Sequence, residues 1–307
     1  MTHDGAPGSH DPGEPAESGD APEEVGTSDI LDSTSAARSV VAPGSPPTRW
    51  RRWRKFAAAA AALTIVMGGV YAYRSHQQRR IVDLSISRAR SLIRSDTWLG
   101  YQRSAELLGV RAVQLEPVRA GSLRALALAL LANDYRDAPA AADANGALKE
   151  PLRAAEVPLE AELAVAAMAL REGKAGTALE YAGRGSGRGL ADVIAARVSL
   201  LAGNGSAAGE ALDRGLAADP QLPAALALRG DLLRRAGRSA EAREAYAAAL
   251  EGSGRALEAG LPGAGDGTGP HARATFGLAK LALGREVSPE EALGPLRRLA
   301  ADGAGTP

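Results

Sequence analysis

Histidines are a natural place to look for chemistry, because imidazole is a common acid–base group and metal ligand near neutral pH. There are four: His3, His10, His76 and His271. The first two lie in a polar N-terminal stretch, the third beside an apolar run and the fourth at the end of a glycine-rich loop, so they suggest neither a His-based metal site nor a triad. Cysteine is absent, which excludes disulfides, thiolate metal sites and a cysteine nucleophile. Two glycine clusters, GRGSGRG over 183–189 and GAGDGTG over 263–269, superficially resemble phosphate loops. Neither fits G-x-G-x-x-G or G-x-x-x-x-G-K-[ST], and neither follows a strand pattern, so both are expected to be linkers. Asn204-Gly-Ser206 is a glycosylation sequon only in a secretory eukaryotic setting and otherwise an inter-helix turn. The chain is therefore expected to be no enzyme and to carry no cofactor or metal.

The remaining polar residues fall into Arg/Glu runs. Arg234, Arg235, Arg238, Glu241, Arg243 and Glu244 stand at i,i+3 and i,i+4 spacings, which gives a solvated helix face. The stretch PAALALRGDLLRRAGRSAEAREAYAAALE, residues 223–251, predicts how such faces are positioned. One helical run contains the small Gly230, Gly237 breaks it, and Ala242, Tyr246, Ala249 and Leu250 line one face of a second run. Gly237 suits a left-handed helix end and Ser239 a following N-cap. Small residues at 230, 242 and 249 let two helices approach closely around Leu226, Leu233 and Tyr246.

Those residues resemble the tetratricopeptide repeat, whose period is about 34 residues. Gly230, Gly237, Ala242, Tyr246 and Ala249 fall at its small and aromatic positions, while Leu226, Arg229 and Leu233 replace the usual Trp, Leu and Tyr. The same frame placed on Gly203 aligns Ala196, Ala208 and Pro220, and placed on Gly100 it aligns Ala105, Ala112 and Pro117. The resemblance implies an all-α fold, an α-solenoid of stacked helix-turn-helix repeats. Helix pairs are expected at 86–119, 120–153, 159–188, 189–222, 223–256 and 270–304, the second disturbed by Pro139 and the third fixed by Gly173 and Ala178, with 252–270 as a loop around a short helix and the last helix kinked at Gly294-Pro295. It also implies a concave groove that binds protein partners, with Arg197, Asp231 and Arg234 at groove positions. The family's clamp for a peptide carboxylate uses Lys and Asn in the groove. Lys149, Lys174, Asn133, Asn145 and Asn204 are expected in turns or second helices, which disfavours that ligand.

Composition agrees with helices: aromatics make up 4% and hydrophobic residues 45%. Lys occurs only at 55, 149, 174 and 280, an Arg bias typical of a GC-rich bacterial genome. The formal net charge of zero conceals a partition, with nine acids against Arg38 in residues 1–48, five bases in 49–55 and three in 74–80. The balanced remainder, 81–307, lacks the basic concentration that nucleic acid requires.

Residues 1–48 have too little apolar surface to offset ordering entropy, so a disordered acidic tail is expected. Its apolar islands, Ile30-Leu31 and Val40-Val41, fit a docking or phosphorylation site or simple chance. The basic juxtamembrane segment 49–55 precedes Phe56–Tyr73, 18 residues without a charge. That run is about 27 Å long as a helix, the thickness of a bilayer's hydrocarbon core, and predicts a single transmembrane helix at 56–73. Trp50, Trp53, Tyr71 and Tyr73 suit interfacial belts. A soluble core helix and a leader cut after Val70-Tyr71-Ala72 fit less well, the first because of the flanking aromatics and bases, the second because about 55 residues precede the apolar run. Denser bases before the run favour a cytoplasmic N-terminus, with the repeat domain 81–307 outside, in a bacterial inner membrane. The expected function is a membrane-anchored protein-binding scaffold; the alternative is a signalling protein whose cytoplasmic tail is the effector and whose solenoid is the sensor.

Overall fold

The computed structural model describes residues 48–262, 271–284 and 288–301. The acidic tail through residue 47, its apolar islands and the GAGDGTG cluster lie outside them. The described residues form thirteen α-helices and a short 3-10 turn, with no strand among them. The chain divides into Met1–Ala61 and Ala62–Pro307. Of the first unit only the opening of α1 is described, and all contacts below belong to the second.

Helix α1, Thr48–Arg94, is unbroken for 47 residues. Its portion Phe56–Arg94 is long and apolar enough to cross a membrane, and the apolar window within it is wholly unburied. Leu63, Ile65, Val66 and Met67 are exposed there, whereas Val82, Ile86, Ala89, Leu92 and Ile93 near its C-terminal end are buried. Those residues recur at helical spacing, so the last three turns of α1 present an apolar stripe to the domain.

After α1 come α2 (Trp98–Leu107), α3 (Val110–Leu115), α4 (Arg119–Asp134), α5 (Ala138–Leu148), the 3-10 turn Pro151–Arg153, α6 (Leu159–Arg171) and α7 (Ala175–Arg184). Then follow α8 (Leu190–Leu201), α9 (Gly205–Ala218), α10 (Pro223–Arg235), α11 (Ser239–Gly260), α12 (Ala272–Leu283) and α13 (Pro289–Ala301). From α4 onward the helices come in pairs, and the first member of each pair also packs on the first member of the next: α4 on α6, α6 on α8, α8 on α10 and α10 on α12. The turns of three pairs carry glycine at positive φ, Gly173 at 75°, Gly203 at 74° and Gly237 at 73°. That conformation costs any residue with a Cβ.

Tyr246 shows why small residues recur. Its ring is completely buried, and a Cβ at Gly230 or Gly277 would lie 2.5 Å or 2.3 Å from it. Two glycines thus hold the space that one aromatic fills, with Ala242 and Ala249 buried alongside and Leu226 and Leu233 packed around.

The structure departs from the sequence reading at four places. The turn of the first expected pair is at Ser95–Thr97, not Gly100, which lies in α2, where a Cβ would meet Ser95 Oγ at 2.2 Å and the Leu92 carbonyl at 2.5 Å. Helix α11 continues through the expected loop to Gly260, because Gly252 admits Gln221 and Pro223, and Gly260 admits Leu92 of α1. Pro139 starts α5 in the first turn, where a missing N–H costs nothing, and does not disturb it. Ser239 is the first residue of α11, the cap position being Arg238.

Candidate functional site

Asp96 is the best-contacted polar side chain of the domain. It lies between α1 and α2 with φ 53°, a conformation unusual outside glycine but accessible to Asp, whose short polar side chain tolerates it. The turn is fixed locally: Ser95 Oγ donates to the Leu92 carbonyl at 2.6 Å, and Thr97 Oγ1 accepts from the Gly100 amide at 3.0 Å, capping α2. The Asp96 carboxylate then points inward.

Three groups meet it, two of them distant in sequence. Tyr101 OH donates to Asp96 Oδ1, Arg197 Nη2 of α8 stands 3.6 Å from the same oxygen, and His271 Nε2 stands 2.8 Å from Oδ2. Arg197 also pairs with Asp134 at the end of α4, Nη1 to Oδ1 at 2.6 Å. Tyr135 packs its ring edge-on against Tyr101, centroids 6.3 Å apart. Asp96 and Arg197 are each only 6% exposed and His271 1%. This is a buried charge cluster joining the α1–α2 turn, α4, α8 and the start of α12.

Burial alone would lift the Asp96 pKa, but the nearby His271, Arg197 and Tyr101 hydroxyl outweigh it and hold the carboxyl well below the usual carboxylate range. Burial, reinforced by Asp96 and Asp134, pushes the Tyr101 and Tyr135 phenols up. Arg197 is raised: the two carboxylates overcome the burial that would lower it. Both imidazole nitrogens are enclosed: Nδ1 accepts from the Ala274 amide at 3.3 Å, capping α12, while Nε2 is buried 2.8 Å from Asp96 Oδ2. The pair cannot activate a nucleophile, because a general base needs one nitrogen open to the reacting group. Among the described residues no group of His, Asp and Glu is arranged to hold a metal ion.

Beside the cluster lies a cavity of about 290 Å³ between the end of α1, α4, α6 and α8, reaching the start of α10. Ile93, Leu123, Leu126, Leu159, Leu163, Leu190, Leu222 and Ala224 form its walls, with Arg90, Arg94, Arg188, Glu160 and Asp96 as its polar lining. Arg90 is paired with Glu160 at 3.0 Å, and Arg94 holds Asp219 through both nitrogens at 2.7 and 2.6 Å. Arg188 lies in the GRGSGRG loop. Within that loop the Gly187 amide donates to Asp192 Oδ2 at 2.8 Å, so a carboxylate already takes the amide a phosphate would seek.

The three residues implied by the repeat resemblance are divided. Arg197 is enclosed in the Asp96 cluster. Asp231 and Arg234 of α10 are partly exposed and flank Tyr246: Asp231 accepts from Tyr246 OH at 2.8 Å and pairs with Arg273 of α12 at 3.1 Å. Burial, with Asp231 beside it, pushes the Tyr246 phenol up. Asn133, expected in a turn or second helix, lies instead in the last turn of α4, a first helix, and donates to Asp134 at 2.8 Å. Asp96, Asp134 and His271 are the members of the buried cluster that sequence reasoning missed. One signal was present: Arg197 interrupts the apolar run LADVIAARVSLL, and a charge so placed requires an internal partner. Compared with family models, curated proteins and solved structures, the chain finds no match.

Proposed function

We propose that this protein is a membrane-anchored helical-repeat scaffold: a tetratricopeptide-like α-solenoid whose first helices form a face that binds a partner protein. The observation carrying this reading is that the C-terminal end of α1 is buried in the helical domain. Val82, Ile86, Ala89 and Ile93 join its core, beside the Arg90–Glu160, Arg94–Asp219 and Arg119–Asp83 pairs. An apolar stripe with ion pairs at its edges is how a groove receives an amphipathic helix. Beyond the end of α1 the face continues onto α10 and α12, where Asp231, Arg234 and Arg273 would meet a partner. Arg197, enclosed as it is, would support that surface rather than contact the partner.

The anchor would be Phe56–Tyr73, with the N-terminus in the cytoplasm and the repeats outside it, in a bacterial inner membrane. Protease added outside that membrane then degrades residues 81–307 and spares the tail; the reverse pattern overturns the topology. A photo-crosslinker at Arg234 in the full-length chain captures a partner, and Asp231→Lys abolishes the capture. Capture from Ala247 on the opposite face, unaffected by Asp231→Lys, would contradict the assignment.

One observation favours the signalling alternative. Within the second unit helix α1 runs unbroken from Ala62 to Arg94, so a change at the end of the apolar run has a helical path to the domain core. Deleting residues 1–47 separates the two: a scaffold keeps its function and a relay loses it.

A further inference from the structure

The cavity poses a question that protein binding leaves unanswered. Its walls are six leucines, an isoleucine and an alanine, and every carboxylate in its lining is already paired: Asp96 by Arg197, His271 and Tyr101, and Glu160 by Arg90. Arg94 is held by Asp219. Among the described residues no carboxylate meets Arg188, the remaining cation at the mouth. The site therefore offers one exposed positive charge without a carboxylate partner beside an apolar cleft.

We infer that this cavity binds an unbranched acyl chain ending in a single carboxylate, with the chain among Leu123, Leu126, Leu163 and Leu222 and the carboxylate at Arg188. The size fits: at about 30 Å³ for each water-sized group, the chamber holds roughly ten heavy atoms. The chemistry fits better than a peptide would. Helical walls have their backbone groups internally satisfied, so the amides of an inserted peptide would lose their water without finding partners. A polymethylene chain carries no such groups, and its carboxylate can take two hydrogen bonds from one guanidinium. This site is separate from the α10–α12 surface and does not depend on the protein-binding reading.

The test uses the full-length chain in lipid nanodiscs with decanoate carrying a diazirine at its far end. Labelling is expected on Leu123, Leu126 or Leu163, competed by decanoate but not by decanol. Arg188→Ala should weaken competition by decanoate about tenfold, and Arg188→Lys should restore part of it. Because Arg188 is exposed, these variants leave the helices intact, as circular dichroism would verify. Leu126→Trp should remove the labelling by filling the chamber. Labelling confined to 56–73, labelling indifferent to Arg188, or stronger competition by a lysophosphatidate than by decanoate would overturn the inference, the last by assigning the head group to a phosphate.

Discussion

The α6–α11 region and the α1–α2 junction solve the same problem, close approach of helices, by opposite means. In α6–α11 the chain is built from small residues: glycines turn at 173, 203 and 237, and alanines such as Ala178, Ala208, Ala242 and Ala249 are fully buried at crossings. At the junction a non-glycine residue, Asp96, adopts the positive φ, and what surrounds it is charge. The first design is local, since each pair requires only its own turn and its neighbour. The second draws on residues 96, 101, 134, 197 and 271 at once. Shape is distributed along the helix pairs, whereas one buried carboxylate ties the end of α1 to helices far along the chain.

The sharpest way to break that contrast is Asp96→Ala, which takes the carboxylate from His271 and leaves Arg197 with Asp134 alone. Removing one member of a buried charge pair costs about 3–5 kcal/mol, and thermal unfolding of the detergent-solubilised chain should show it. A loss under 1 kcal/mol would mean that the cluster does not hold the junction. The same carboxylate fixes a pH response. Its folded pKa lies below its unfolded value of about 4, so its contribution is complete above about pH 4 and fades as pH falls further. Tyr101 has the opposite sign: its folded pKa is raised, so its contribution is complete below about pH 10 and is lost above it. Melting temperature should therefore be flat in these groups between the two limits, and Asp96→Ala should remove the acid limb.

Smaller effects sharpen the repeat half of the comparison. Gly230→Ala and Ala242→Leu each force carbon into the space around Tyr246 and should cost about 1–3 kcal/mol, while Ala247→Leu on the exposed side stays within about 0.5 kcal/mol. Hydrogen exchange should place the damage in α10–α12, with little change in α4. Gly237→Ala differs in kind: nothing crowds the position, so only the left-handed backbone resists it, at about 1–2 kcal/mol. A loss of hydrogen-exchange protection around Tyr246 as large for Gly237→Ala as for Gly230→Ala would erase the distinction between a glycine kept for space and one kept for conformation.

The same division explains what the sequence reveals. The helix pairs between 159 and 256 are legible because a turn glycine and small residues at fixed offsets are local signals, and Gly173, Gly203 and Gly237 all lie where those signals put them. Gly252, Ser253, Gly254 and Gly260 read as loop because local propensity opposes helix there. Only the arrival of Pro223 and Leu92, neither adjacent in sequence, makes them helical. Asp96, Asp134 and His271 were illegible for a related reason: nothing in the residues around each of them reports a partner more than thirty positions away. The Gly100 frame failed because glycine serves for close approach as well as for turns, and spacing does not distinguish the two.

The unbroken course of α1 has a mechanical consequence. Between Val70 and Arg94 there is neither glycine nor proline, so the helix has no built-in joint. From Tyr73 to Val82, where burial in the domain begins, it acts as a torsion shaft. Each residue of helix turns the chain by about 100°, so inserting one between these points would turn the buried stripe of α1 by about that angle relative to Tyr73. Inserting seven would nearly restore its bearing, about 10 Å farther along the helix axis.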